Sequence, residues 1–193
     1  MLAERFSDKE KNVNSQEKVP LVESVAHSKW EVFKMIKLEA FLVFYVFFVT
    51  LSFFPGITSL IKVTDAPIDS GWFAVLMIFA FQIFDFVGRS MPRLILFPKR
   101  ILWIPVILRT SIVVLFILCI KPQLITQFYW PFIFMALFAV TNGYTGTLCM
   151  MYGPQGVGEE DKEIAGMIMS FFLNSGILFA VFFALLLLWL IGN

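Results

Sequence analysis

Residues Trp72 to Met91 read WFAVLMIFAFQIFDFVGRSM, and this stretch decides the fold. Its only charged residues are Asp85 and Arg89, and no charge lies between Asp69 and Asp85. A run of about 20 apolar residues is the length a helix needs to cross a bilayer. An ionised side chain inside that run costs several kcal/mol and is normally paired or faces a watery path. Asp85 and Arg89 are one helical turn apart, so an acid and a base share one face within reach of each other. Gln82 precedes Asp85 by one further turn and joins that face. This polar stripe is the candidate working part of the chain.

The rest of the sequence agrees with a membrane setting. It is 59% hydrophobic, contains 24 Phe and has a mean hydropathy of +0.84. A soluble domain is about half apolar. Spans are expected at Leu38–Ile61, Trp72–Met91, Ile101–Ile120, Phe128–Met151 and Ile164–Leu190, giving an all-α polytopic membrane protein with five transmembrane helices. The runs are solidly apolar and do not alternate, which excludes barrel strands. The first apolar run starts behind a charged tail, too late for a cleaved leader.

Lysine and arginine placement sets the expected orientation. Outside the spans, eleven fall on the side of the N-terminal tail and two, Lys62 and Lys121, on the other. The N-terminus is therefore expected in the cytosol. Residues 1–37 form the expected tail and 38–193 the membrane domain. Within residues 29–39, Trp30, Phe33 and Ile36 recur at helical spacing among lysines. That pattern fits either a short interfacial helix or the start of the first span.

Several residues stand out within the spans. Pro55 removes a backbone donor and predicts a kink or break, with Thr50, Ser52, Thr58 and Ser59 able to bind freed carbonyls. Arg109 sits alone at the centre of the third span. It competes with Arg89 for Asp85, so either Arg109 pairs outside the chain or Arg89 is free for a ligand. Small residues cluster in span four at 141–147, including Gly143 and Gly146, and in span five at Gly166, Ser170 and Asn174, spaced by four, then Ser175 and Gly176, and they predict close helix packing. Asn142 and Asn174 carry amides that need partners and are the candidates for ligand contact. Phe54 and Phe81 lie where an aromatic ring can stack on a flat ligand. Cys119 and Cys149 read as packing residues, and His27 as a solvated tail residue. No phosphate-binding loop, zinc-protease motif or serine-hydrolase motif is present, so neither an enzyme nor a metal or cofactor site is expected.

FPGIT, FQIFDFVGRS, the Arg of the third span, TNGYTGTLCMMYGP and EIAGMIMSFFLNSG together resemble the C-terminal half of the equilibrative nucleoside transporter family. The resemblance runs in order from about Leu38 to Leu190. It implies spans seven to eleven of a fold similar to the major facilitator type, with residues 1–37 belonging to a central cytosolic loop. It also implies facilitated diffusion of a nucleoside or nucleobase by alternating access, in the plasma membrane and without nucleic acid or cofactor. The implied substrate-binding residues are Asp85, Arg89, Phe54 and, where the family more often has Asn, Gln82. The cavity of the family lies between two halves, so the implied partner is an N-terminal half. Two other readings stand beside this one: a non-transporting partner or regulator of a full-length transporter, and proton coupling through Asp85.

Overall fold

The structure, a computed structural model, describes residues 28–56, 58, 69–120, 127 and 129–192. Its helices are α1 (Lys29–Phe53), α2 (Ser70–Ser90), α3 (Trp103–Leu108), α4 (Thr110–Ile120), α5 (Tyr129–Gln155) and α6 (Lys162–Gly192). Five stretches are long and apolar enough to cross a membrane: Lys29–Phe53, Gly71–Arg93, Lys99–Leu118, Tyr129–Gln155 and Glu159–Leu190. The molecule is an all-α polytopic membrane protein. His27 and the side chain of Cys119 lie outside the described residues.

Local chemistry sets the helix ends. The Ser28 amide donates to Glu31 Oε2 at 3.0 Å, closing the start of α1. Asp69 caps α2 by accepting from the Gly71 amide at 3.1 Å. Residues 29–39 are the first turns of α1, with no break before the membrane segment. Val32, Ile36, Ala40 and Val43 form one fully buried stripe there, which anchors those turns against protein. At its other end α1 stops at Phe53; Phe54 is extended and the Phe54–Pro55 peptide is cis. Thr50, Ser52 and Thr58 bind the carbonyls of Val46, Phe48 and Pro55 at 2.7, 2.6 and 3.1 Å.

Packing pairs α1 with α6 and α2 with α5, and α1 also lies against α5. Glycines set the closest crossings. A Cβ on Gly143 would come within 2.1 Å of the Asp85 carbonyl oxygen, and one on Gly88 within 2.3 Å of the Val140 carbonyl oxygen. A Cβ on Gly176 would meet the Phe44 carbonyl oxygen at 2.5 Å. Backbones this close exclude any side chain at the crossing and trade it for continuous dispersion contact.

The contact face of α6 corrects the sequence expectation. Ala165, Met169 and Ala180 are fully buried, and Gly176 is in contact. Gly166 has nothing near it, Ser170 is exposed, and the Asn174 amide donates to the Ser170 carbonyl of its own helix at 2.8 Å. The packing stripe is thus displaced from the small-residue stripe, and Asn174 is satisfied locally.

The third span is discontinuous. α3 ends at Leu108 and α4 begins at Thr110, leaving Arg109 at the junction. The Ile112 amide bonds back to the Arg109 carbonyl at 3.0 Å, a tightened turn. At the far end of α5, Tyr152 donates to the Phe97 carbonyl at 2.6 Å and Tyr144 to that of Ile95 at 3.0 Å. Lys99 reaches buried Glu39 of α1 at 3.0 Å and the Tyr152 carbonyl at 3.4 Å. These bonds tie the connection before α3 to α1 and α5.

Candidate functional site

Asp85 is 6% exposed and faces inward from α2. The register that buries it is fixed by Gly88 and Gly143, because the α2–α5 crossing passes through its own carbonyl. Its Oδ2 accepts from Arg89 Nε at 2.6 Å. Its Oδ1 accepts from Asn142 Nδ2 of α5 at 2.7 Å. Each oxygen thus has one donor and keeps a second acceptor direction.

Arg109 approaches the same cluster from the α3–α4 junction. It is 2% exposed, and Nη1 donates to Asn142 Oδ1 at 3.1 Å and to the Val46 carbonyl at 3.4 Å. Nη2 donates to Thr50 Oγ1 at 2.8 Å. Its guanidinium carbon lies 4.8 Å from the Phe138 ring centre, a cation–π contact. Nε has no hydrogen-bond partner among the described residues. Thr50 Oγ1 also lies 2.7 Å from Asn142 Oδ1. Every described span except α6 contributes a member. A further bond, Tyr45 to Thr110 at 2.9 Å, holds α1 to the start of α4 beside it.

The competition anticipated between two arginines resolves through Asn142. Arg89 takes the carboxylate directly, while Arg109 reaches it through the amide. Arg109 finds its partners within the chain, against the first alternative, and Arg89 bonds Asp85 through Nε with half of its side-chain surface open.

The other candidates fall nearby. Gln82 is exposed, three residues before Asp85, and makes no hydrogen bond among the described residues. Phe54 is 5% exposed and stacks on Phe81 with ring centres 4.2 Å apart. The two rings between which the sequence left the choice form one aromatic pair. Cys149 is fully buried in the cluster of α1, α5 and α6 side chains.

Sequence reasoning identified Asp85, Arg89 and Arg109 by their charge, and Asn142 by its amide. It treated Thr50 only as a cap for a carbonyl. The missed signal is the buried stripe of α1, where Thr50 follows Glu39, Val43 and Val46 at helical spacing, a polar residue on a mostly aliphatic face.

Fixed charges held between apolar spans define a multi-pass membrane protein with a working interior. A family model described as "Nucleoside transporter" matches residues 2–189, and the chain belongs to that family. It is 36% identical to human equilibrative nucleoside transporter 1 over 195 residues, covering 94% of this chain and 42% of the relative. It is 38% identical to human equilibrative nucleoside transporter 2, covering 78% of this chain and 35% of the relative. Nucleoside transporter 2 of Leishmania donovani is 30% identical, covering 89% of this chain and 33% of the relative. The chain therefore spans about a third to two-fifths of the length of the curated relatives it matches.

Proposed function

We propose that this chain is the C-terminal half of a nucleoside transporter, which passes nucleosides or nucleobases by facilitated diffusion through alternating access. Family membership and its likeness to equilibrative nucleoside transporters support this reading. The observation that carries the site is Asp85: a buried carboxylate gripped by Arg89 and Asn142 at 2.6 and 2.7 Å, beside an Arg89 that is half open. Ribose hydroxyls both donate and accept. The free acceptor directions of Asp85 take their protons, and the open nitrogens of Arg89 donate to their oxygens. Gln82 adds a donor and an acceptor on the same helix. The buried Phe54–Phe81 stack backs the site with apolar packing on the side where the base lies.

The cavity closes against an N-terminal half, the partner of this chain, and one half rocks over the other around the midplane site. The membrane is the plasma membrane, with residues 1–37 in the cytosol. Cells co-expressing this chain with the N-terminal half of a relative provide the test. Labelled uridine or adenosine should enter in a saturable way that requires both chains and ignores an imposed pH gradient. Co-purification of the two chains without uptake would overturn transport and favour a non-transporting partner. Uptake driven by the pH gradient would replace facilitated diffusion with proton coupling.

A further inference from the structure

We infer that Asn142 is a positioning residue for the substrate, acting through Asp85, and that Arg109 and Thr50 set the direction in which its amide points. The inference rests on the proposed reading of Asp85 as a sugar contact. Its basis is the complementarity of the bonds. Asn142 Oδ1 faces two groups that can donate, Arg109 Nη1 at 3.1 Å and Thr50 Oγ1 at 2.7 Å. Its Nδ2 faces a carboxylate oxygen at 2.7 Å. Turning the amide over would place its hydrogens against the guanidinium and its oxygen against the carboxylate. Both contacts would be repulsive around an amide this deeply buried, so one orientation is dictated.

Thr50 refines the arrangement. Its hydroxyl has one proton and two acceptors at equal distance, Asn142 Oδ1 and the Val46 carbonyl, both at 2.7 Å. Arg109 Nη2 occupies its acceptor side at 2.8 Å. Arg109 itself is fixed by burial, by these bonds and by the Phe138 face beneath it. The result is a directed chain from α1 and the α3–α4 junction, through α5, to one oxygen of Asp85. Arg89 holds the other oxygen from the helix that carries Asp85. An arginine one turn away leaves the carboxylate free to swing about its side-chain bonds. A second donor from a different helix removes that freedom. Misplacement of a contact group by about 1 Å is enough to cost a large factor in productive binding.

The test uses the chain co-expressed with a complementing N-terminal half, with Asn142→Leu and Thr50→Val compared with the unaltered protein at matched surface level. Uptake is measured for a ribonucleoside and for its 2′,3′-dideoxy analogue, which lacks the 2′ and 3′ hydroxyls and keeps the 5′ one. Asn142→Leu should raise KM for the ribonucleoside about tenfold, the lower range for a hydrogen bond to a charged group. Maximal rate per surface molecule and uptake of the dideoxy analogue should be unchanged. Thr50→Val, which preserves shape and removes the hydroxyl, should shift KM in the same direction by a smaller factor. It carries the test alone if Asn142→Leu fails to reach the surface.

Equal loss of rate for both substrates, with KM unmoved, would overturn the inference and reduce the network to packing. If the unaltered protein itself shows no preference for the ribonucleoside, the assignment of Asp85 to the sugar falls first. If that preference exists and both variants keep it, only the positioning role of Asn142 falls.

Discussion

Arg109 is the residue whose environment is most demanding. A guanidinium this deeply buried keeps its charge only because its fork meets an amide oxygen, a hydroxyl, a carbonyl and an aromatic face together. Lysine has the charge without the planar fork, and one ammonium cannot span Asn142 and Thr50 in the same geometry. Arg109→Lys should therefore lower stability by about 2 kcal/mol, the scale of a lost hydrogen bond to a charged group. Thermal unfolding of the purified protein in detergent should show a clear fall in Tm. At this scale the sequence was informative where charge is scarce. Asp85, Arg89 and Arg109 are conspicuous because hydrocarbon surrounds them. Their partners were less legible, since whether Asn142 or Asn174 joins the cluster depends on how helices far apart in sequence rotate against each other. Thr50 was hidden further, because a threonine in a span can satisfy itself on its own helix, as its bond to Val46 illustrates.

Helix positions were plain from the apolar runs, and helix contacts were not. The expected spans agree with the observed helices apart from their ends and the break at Arg109, because apolar length is a local property. Contact faces depend on the partner's shape, so of the small residues expected to pack, Gly143 and Gly176 make close approaches while Gly166 and Ser170 do not. The same distinction gives a paired prediction. Gly143→Ala would drive a methyl group to 2.1 Å from the Asp85 carbonyl oxygen. Separation of α2 from α5 should cost about 1–3 kcal/mol, as overpacking does elsewhere. Gly166→Ala meets nothing within 4 Å and should leave Tm unchanged or raise it slightly, because alanine is the better helix former. Detergent thermal melts of the two variants check this directly. Equal melting temperatures would show that the α2–α5 crossing is not held at glycine contact.

In the whole molecule, α2 carries an exposed aromatic face beside the buried Asp85. Trp72, Phe79 and Phe86 are 66%, 62% and 72% exposed. Seven-residue spacing keeps them on one side of the helix, while Asp85 turns inward. In a bilayer such aromatic exposure costs nothing, since lipid tails are as apolar as the side chains. The Lys and Arg distribution predicts that a tag at the N-terminus is reachable only from the cytosol. Antibody labelling of intact cells should leave it dark, with signal appearing after permeabilisation. The central claim is that the Asp85–Arg89 pair of α2 contacts the substrate. Its most direct test is the initial rate of labelled uridine uptake by Asp85→Asn and Arg89→Ala, each paired with the complementing half and compared at equal surface level. The account predicts that uptake is lost or severely reduced in both, because each substitution removes a charged partner that the sugar hydroxyls need. Uptake equal to that of the unaltered protein in both variants would contradict it.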